Sequence, residues 1–380
     1  MSIPQTSGAR AEEDPRMRSR LMIAPVLCLA GLAAISGCST SRSQPAPQDY
    51  IITGAKPDKL FVIDPVTQTV KHEFRIPDAR GMVTSIVPSP DGKIAYVLVN
   101  KFESIVGMDL DTGKVVFRAD LSTPTERVKS VFAFDVTPDG REIIVHELPT
   151  KLGLGEYHVG DARFSVYDTR AGVSAKPVRQ FPAPRRVHMV LSKRDGKSFY
   201  ALGFELYEFD RQTGSEISKR GVRSWERPGY SIPDVLAFWP VSEPTGIFST
   251  PAYSTEGEKA KTSLMTLDLG SGKLAYNDFE ETAALIFSTV VSPSAPEAFG
   301  VYTQLTKIDT AKNVLAKRVD LDHTFYAVNI SSDGKLVYLG GAMCDIATYD
   351  AQTLEKKGNI KLPGCTDQSL ATMRVVRRSK

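Results

Sequence analysis

The residues best suited to chemistry are five histidines and four cysteines, and their spacing limits what this chain of 380 residues does. No Cys-x-x-Cys-His occurs, so the motif that attaches a c-type haem is absent. The cysteines and histidines also lack the paired spacing of a zinc site, and no Gly-x-Ser-x-Gly nucleophile elbow is present. We therefore expect this chain to have no catalytic residue, no metal site and no cofactor of its own.

Seven aspartates recur at the same place in a repeated pattern, which indicates a structural role. Each ends an apolar stretch and is followed, after two or three residues, by Thr-Gly or a degenerate version of it. The carboxylate accepts hydrogen bonds from the turn backbone, and Gly or Asn takes the positive φ that a tight hairpin needs. A group repeated so often favours structure, since catalysis needs one particular constellation. The positions are Asp64, Asp109, Asp168, Asp210, Asp268, Asp309 and Asp350.

The elements between these turns alternate apolar and polar residues, as β-strands do. A second series of turns, such as Pro90-Asp91-Gly92, divides each unit further. One unit then contains four strands, at 82–87, 94–99, 105–110 and 115–121. Four strands repeated every 40 to 50 residues or so are typical of propeller blades. The sequence therefore predicts an all-β fold, a seven-bladed β-propeller of four-stranded blades.

The two ends of the propeller are predicted to meet. The first unit has only three strands, at 50–53, 60–64 and 70–76, and the chain ends with an unpaired strand at 371–377. If this last strand supplies the missing inner strand, the ring closes and no sheet edge is left exposed. We predict one propeller domain over residues 49–380.

The first 48 residues are predicted to serve export. Arg16, Arg18 and Arg20 precede an apolar run at 21–35 that ends at Ser36-Gly37-Cys38. This is an export signal over residues 1–38, followed by a flexible tether over 39–48. Two interpretations stay open: a plain signal peptide, or a lipobox in which Cys38 is acylated. We expect a periplasmic protein, attached to the membrane only if Cys38 carries a lipid. The net charge of +3 does not suggest a nucleic-acid partner.

Cys344 and Cys365 are the cysteines left after the exported chain loses its signal. An even pair in an oxidising compartment favours a disulfide. Two buried free thiols are the alternative.

One face of the propeller is predicted to carry the function. The longest insertions, at 149–162 and 254–262, follow the second strand of a blade, and those at 120–130 and 221–233 connect blades. All four belong to the same face, where long ordered loops are usually functional. Aromatic residues there suit protein contact, or else the loops simply pack on their own aromatics. Asp234 is either a strand-start residue or faces the axial pocket. The candidate residues for a subunit or cavity face are Tyr157, His158, Trp225, Tyr230, Asp234, Trp239 and Tyr253.

Several stretches resemble the β subunit of quinohemoprotein amine dehydrogenase, a resemblance that runs from about residue 49 to 377. The least generic are Leu121-Ser-Thr-Pro-Thr-Glu-Arg-Val-Lys-Ser130 and Pro233-Asp-Val-Leu-Ala-Phe-Trp239. Further stretches lie at 56–64, 95–104 and 349–358.

This resemblance implies a periplasmic heterotrimer that oxidises primary amines. Its α subunit is a di-haem cytochrome c, and its small γ subunit carries cysteine tryptophylquinone. The β subunit is a cofactor-free seven-bladed propeller that packs against both and helps to wall the active-site cavity. The lipobox at Cys38 and the pair Cys344 and Cys365 are not expected of the family. Two alternatives remain: a stand-alone propeller lipoprotein that binds a ligand or an envelope protein, and a single-chain propeller enzyme such as a lactonase or a quinone-cofactor dehydrogenase.

Overall fold

The computed structural model describes residues 47–243 and 245–378, and these form seven antiparallel β-sheets arranged in a ring. Each sheet contains a four-stranded path, which confirms the predicted seven-bladed β-propeller. The predicted export signal, Cys38 and most of the tether lie outside the described residues. Within the described part of the chain, no helix has the length and apolar character needed to cross a membrane.

The strands follow the chain blade by blade, with two additional short strands in the third blade. The first four blades are built from β1 (Gln48–Ala55), β2 (Lys59–Asp64) and β3 (Thr69–Arg75); β4 (Ile86–Pro88), β5 (Ile94–Val99), β6 (Ser104–Asp109) and β7 (Val115–Asp120); β8 (Glu126–Lys129), β9 (Phe134–Val136), β10 (Glu142–Leu152), β11 (Tyr157–Val159), β12 (Arg163–Asp168) and β13 (Arg179–Pro182); and β14 (Val187–Ser192), β15 (Ser198–Gly203), β16 (Glu205–Asp210) and β17 (Glu216–Gly221).

The remaining three blades and the closing strand complete the ring. They are built from β18 (Asp234–Val235), β19 (Ile247–Glu256), β20 (Lys259–Asp268) and β21 (Leu274–Glu281); β22 (Ser288–Val291), β23 (Glu297–Val301), β24 (Gln304–Asp309) and β25 (Val314–Asp320); β26 (Ala327–Ile330), β27 (Leu336–Gly340), β28 (Asp345–Asp350) and β29 (Lys356–Lys361); and β30 (Arg374–Arg378).

The ring closes between the two ends of the described chain. β30 is the inner strand of the first blade, next to β1, with Tyr50 opposite Val376. The Arg378 guanidinium lies 5.0 Å from the centre of the Tyr50 ring, which adds a cation–π contact to the ladder. The closing strand was predicted at 371–377 and is found at Arg374–Arg378, because the segment before Arg374 is an irregular connection.

The repeated aspartates close hairpins as predicted. Asp210 is representative: its Oδ1 accepts the N–H of Gln212 at 2.9 Å and of Thr213 at 2.7 Å. Gly214, the residue after Thr213, has a φ of 69°, which glycine adopts without a steric cost. Equivalent bonds from the second or third following residue reach Asp64, Asp109, Asp168, Asp268, Asp309 and Asp350.

Two insertions that were expected to be loops are strands instead. β10 continues to Leu152, where it pairs with β8 and β11 beyond the end of the blade. β19 and β20 form a hairpin of ten residues a side, with register partners from Ile247 and Asp268 to Glu256 and Lys259. Extending the ladder satisfies backbone N–H and C=O groups that a loop would leave to water.

The hydrophobic core lies between neighbouring blades. Phe164 of the third blade packs edge to face on Phe199 and Phe209 of the fourth, with ring centroids 5.0 and 5.1 Å apart. All three rings are buried. Truncation of one such ring to alanine typically costs about 3–5 kcal/mol, so contacts of this kind hold the blades in register.

Candidate functional site

Two faces of the propeller differ in their construction. The short-turn face carries the turns between strands one and two and between strands three and four of each blade. The long-loop face carries the loops between strands two and three, together with the connections between blades. All of the predicted candidate residues belong to strands, loops or connections at or near the long-loop face.

The tip of the third blade is the most exposed apolar feature of the long-loop face. Tyr157 is 74% exposed, and Leu154 and Val159 beside it are also fully or largely exposed. His158 lies 3.0 Å from the Glu156 carboxylate and is exposed as well. Tyr157 and His158 are therefore accessible to a partner, on a short hairpin that β8 and β10 support.

The connection at 221–233 packs on its own aromatics, the alternative left open from the sequence. Trp225 stacks on Tyr276, with centroids 4.4 Å apart and planes 14° from parallel. The Arg227 guanidinium lies 3.5 Å from the centre of the Tyr230 ring, and the Tyr230 hydroxyl donates to Asp278 at 3.0 Å. Trp225 and Tyr230 thus hold the connection against the fifth blade.

The Asp278 carboxylate fixes this arrangement electrostatically. Burial opposes its ionisation, but hydrogen bonds from Arg227 at 2.8 Å and from Ser263 at 2.6 Å hold its pKa below the usual range. Burial and the neighbouring carboxylate raise the pKa of Tyr230 to about 12, so its hydroxyl remains a donor at neutral pH.

Of the remaining candidates, two are held inside the fold. Trp239 is 5% exposed, and its Nε1–H donates to the Leu370 carbonyl at 3.3 Å, so it lies inside the fold and not on the surface. The Tyr253 hydroxyl exchanges hydrogen bonds with the backbone N–H and C=O of Ile286, both at 2.7 Å. Asp234 faces solvent and forms an ion pair with Arg223 at 3.0 Å; it does not line the axial cavity.

A chain of aromatic rings in mutual contact lies on the long-loop face, and the sequence candidates did not include them. The rings are partly exposed, except for that of Phe132, which is buried. Phe238 and Phe287 stack with centroids 5.0 Å apart, and Phe287 contacts Tyr326 at 4.7 Å. Further contacts extend the chain of rings to neighbouring blades. We define this aromatic belt as Phe102, Phe132, Phe238, Phe287, Tyr302 and Tyr326.

The belt has a positional signal that could have revealed it. Phe287 directly precedes the inner strand β22, Tyr326 directly precedes β26, and Tyr302 directly follows β23. Aligning the blades on these strand ends, instead of on their aspartate turns, brings the aromatic positions together. Phe287 and Tyr302 belong to the sixth blade and Tyr326 to the seventh, and all three lie at the same level of the ring.

A groove of about 520 Å³ lies on the same face, lined mostly by apolar atoms. The Arg186 guanidinium stacks over Phe204 at its edge, 5.4 Å from the ring centre. Burial, aided by the charge of Arg223, lowers the pKa of His188 in this groove to about 4. The neutral ring adds a polar group to the groove without adding a charge.

His146 lies fully buried behind the groove. Burial lowers its pKa to about 4, and its Nε2 is 2.8 Å from the Pro184 carbonyl oxygen. A carbonyl accepts only, so Nε2 carries the proton and donates. Nδ1 is then a buried acceptor, and no described residue donates to it.

The long-loop face also carries a disulfide between Cys344 and Cys365, with Cα atoms 5.6 Å apart. Cys344 belongs to the loop between β27 and β28, and Cys365 to the segment that leads to the closing strand. The bond therefore ties the last blade to the segment that closes the ring. Among the described residues, no three His, Cys, Asp or Glu side chains are grouped to bind a metal ion.

No protein-family model matches the sequence, and no curated protein matches it either. Solved structures do match. Dihydro-haem d1 dehydrogenase NirN is similar with a TM-score of 0.55 at 15% identity, over 87% of this chain and 76% of that chain. Hydrazine synthase of Kuenenia stuttgartiensis is similar with a TM-score of 0.51 at 14% identity, over 87% of this chain and 99% of that chain. AztD of Citrobacter koseri is similar with a TM-score of 0.53 at 12% identity, over 88% of this chain and 99% of that chain. At these identities the likeness shows the fold alone, and this chain shares the β-propeller architecture with these proteins.

Proposed function

We propose that this chain is the cofactor-free β subunit of a periplasmic quinohemoprotein amine dehydrogenase. In this assignment the chain scaffolds a quinone-bearing γ subunit and a di-haem cytochrome c α subunit, and the complex oxidises primary amines. The stretches at 121–130 and 233–239, which resemble that subunit, support the assignment. One of the propellers similar in fold is itself named a dehydrogenase, of dihydro-haem d1.

The observation that carries the proposal is the aromatic belt on the long-loop face. All of its rings except that of Phe132 are partly exposed, and contiguous aromatic rings of this kind form a surface that a protein partner covers. The exposed apolar tip with Leu154 and Tyr157 extends this surface outward. Partner subunits seated here would bury aromatic area at the centre and leave charged groups at the rim, the arrangement of stable interfaces.

The chemistry belongs to the partners in this proposal. The quinone of the γ subunit would oxidise the amine, and the haems would accept the electrons. This chain would hold the γ subunit in register and cover one side of its cavity with aromatic rings, which orients the substrate and excludes water. Phe238 and Phe287, parallel within 3° of each other, present a preformed flat surface for that purpose.

The test is to purify the tagged chain gently from its native envelope and record the absorption spectrum. A c-type haem spectrum that is reduced on addition of a primary amine supports the proposal. A colourless monomer from cells that oxidise primary amines would sink it, and would leave the stand-alone propeller lipoprotein.

Two matched variants locate the interface. Leu154→Glu places a charge on the exposed tip of the long-loop face, and Val66→Glu places one on an exposed apolar site of the short-turn face. Both positions are solvent-exposed, so both variants should fold. We expect Leu154→Glu to lose the haem partner at least tenfold more readily than Val66→Glu, roughly 1.4 kcal/mol of binding free energy.

A further inference from the structure

A cavity of about 380 Å³ opens at the axis on the short-turn face, opposite the proposed docking surface. Its lining comes from the turns between strands one and two of several blades and from the closing strand β30. The proposed scaffold role makes no use of it. A volume of this size suits a small molecule.

One wall of the cavity presents a carboxylate with an unused oxygen. Asp135 lies on the inner strand β9, and its Oδ2 accepts the N–H of Ser192 at 2.6 Å. Among the described residues, Oδ1 receives no comparable hydrogen bond. Burial raises the pKa of Asp135 to about 6, against the opposing effects of the Ser192 N–H and the charge of Arg374. These groups do not outweigh the burial, so a cation or a donor within the cavity would stabilise the ionised carboxylate further.

Arg374, whose charge acts on this carboxylate, already binds other groups. Arg374 is 5% exposed; its Nε donates to Glu243 at 2.5 Å and its Nη1 to the Ile86 carbonyl at 2.9 Å. The charges of Arg374 and Glu243 cancel each other. The charge of Asp135 therefore has no ion-pair partner of its own inside the cavity, within the part of the chain that the structure describes. The carboxylate of nearby Asp49 is also occupied, by the N–H and hydroxyl of Ser332 at 2.7 Å.

The mouth of the cavity is basic. Arg194 and Arg377 line it, both are exposed, and within the described chain neither has a carboxylate at ion-pair distance. The Arg194 guanidinium packs directly over Gly246, where a Cβ atom would lie 1.9 Å from its Nε. Glycine at this position therefore leaves the space that holds the Arg194 side chain at the mouth. Arg194 is two residues from Ser192, so the basic mouth is close to Asp135.

We infer that this cavity binds a small zwitterion, an amino acid whose ammonium group faces Asp135 and whose carboxylate faces Arg194 and Arg377. Guanidinium groups bind carboxylates through two parallel hydrogen bonds. Apolar side chains such as Val136 and Leu269 line the space between and would contact the carbon chain of the ligand.

The charges of the cavity select this ligand over simpler ones. With Arg374 and Glu243 cancelled, Asp135 contributes one negative charge and the two arginines at the mouth contribute two positive charges. A simple amine would leave both arginines without a partner. A simple carboxylate would leave Asp135 unpaired and add a second negative charge to its surroundings. A zwitterion compensates both ends of the cavity at once.

Calorimetric titration of the full chain with three matched probes tests this assignment. The probes are 4-aminobutanoate, butylamine and butanoate, and glycine is added as a shorter zwitterion. We expect a zwitterion to bind at least tenfold more tightly than butylamine or butanoate. Its affinity should also increase from pH 5 to pH 7 as Asp135 ionises.

Variants separate the two ends of the site. Asp135→Asn keeps an acceptor for the Ser192 N–H but has no charge. It should lower the affinity for the zwitterion at least tenfold and remove the pH dependence of that affinity. Arg194→Gln should lower the affinity for the zwitterion and for butanoate but not the affinity for butylamine. Asp309→Asn, on a turn of the same face outside the cavity, should change none of these affinities.

Three outcomes would overturn the inference. The first is that no probe binds although thermal melting shows a folded chain. The second is that butanoate binds as well as the zwitterions, which marks a plain anion site. The third is that Asp135→Asn binds like the wild type. None of them affects the scaffold proposal, because haem capture is measured separately and on the opposite face.

Discussion

Phe102 and Phe132 meet edge to face with ring centroids 5.1 Å apart, and both have a left-handed backbone, with φ of 73° and 62°. A bulky residue in this region costs about 1–2 kcal/mol relative to glycine. Lys101 is left-handed as well, so two consecutive residues carry this cost, after Asn100, a residue type that tolerates the left-handed region. Strain of this kind persists where a side chain is needed in a particular place. The aromatic belt therefore begins with two rings that the backbone holds at a cost in stability.

Phe102→Asn should separate partner binding from stability. Asparagine tolerates the left-handed region, so the relief of strain should offset the loss of a partly exposed ring. We expect the free energy of unfolding of the isolated chain to stay within about 1 kcal/mol of wild type. Capture of the haem partner should fall at least tenfold. A loss of more than about 3 kcal/mol, with partner capture intact, would show that Phe102 serves packing.

Gln68 offers a test of the repeated hairpin. It occupies the left-handed position that Gly214 takes in the fourth blade, with φ of 53°, and its side chain is exposed. Gln68→Gly should raise the free energy of unfolding by roughly 0.5–1 kcal/mol, measured by urea denaturation. Leu354 is left-handed at the matching position of the seventh blade but is 3% exposed. Leu354→Gly should lower stability by roughly 2 kcal/mol or more, because buried apolar contact is lost. Equal effects at the two sites would contradict this explanation.

The aspartate turns show why the fold could be predicted from the sequence and the belt could not. A turn is local: Asp210 reaches N–H groups two and three residues away, so its signature lies in a few consecutive letters. Counting such turns gives the blades. Ring closure followed because the first unit lacks one strand and the chain ends with an unpaired strand, which leaves one arrangement without an open edge. The belt is different, since Phe132 and Phe238 come from distant parts of the chain and meet only in the ring.

The same distinction explains the burial of Trp239 and the extension of β10. Tryptophan is a residue type that is common at interfaces. Whether Trp239 is exposed depends on contacts such as its hydrogen bond to Leu370, which lies 131 residues away. The extension of β10 to Leu152 depends on a partner strand, β8, that belongs to the preceding connection. Neither partner can be read from the neighbouring letters.

Reduction of the bond between Cys344 and Cys365 should destabilise the closed ring. The bond closes a loop of 21 residues. By loop entropy such a bond contributes ~3 kcal/mol. We expect Cys344→Ser with Cys365→Ser to lower the free energy of unfolding by about this amount, while the wild type in reductant behaves like the double variant. Unchanged unfolding in reductant, with thiol titration confirming two free cysteines, would contradict this prediction.

His146 should make the protein less stable in acid. Its folded pKa is lowered to about 4, whereas an unfolded histidine titrates near its ordinary 6.5. Between these values the unfolded chain binds the proton and the native chain does not, so stability is present above pH 6.5 and is lost as pH falls toward 4. The loss from this residue is on the order of 2 kcal/mol. His146→Gln, which still donates to the Pro184 carbonyl, should flatten the dependence in urea titrations.

The contribution of Asp135 to stability should change with pH in the direction opposite to that of His146, over a similar range of pH. Because burial raises its folded pKa to about 6, the native chain keeps the proton at pH 5 while the unfolded chain, with an ordinary value of 3.8, has lost it. Its contribution to stability therefore falls as pH rises from about 4 to 6.

Asp135→Asn removes this titration and retains an acceptor for the Ser192 N–H. The free energy of unfolding of the variant should increase relative to that of the wild type as pH rises. The change between pH 4 and pH 7 should be on the order of 2 kcal/mol. Asp309→Asn is a control of opposite sign, because the backbone N–H of Lys312 stabilises the Asp309 carboxylate and lowers its pKa. That variant should lose stability relative to wild type as pH rises above 4. If Asp135→Asn and the wild type show parallel pH profiles, Asp135 is compensated within the fold and has no need of a cationic ligand.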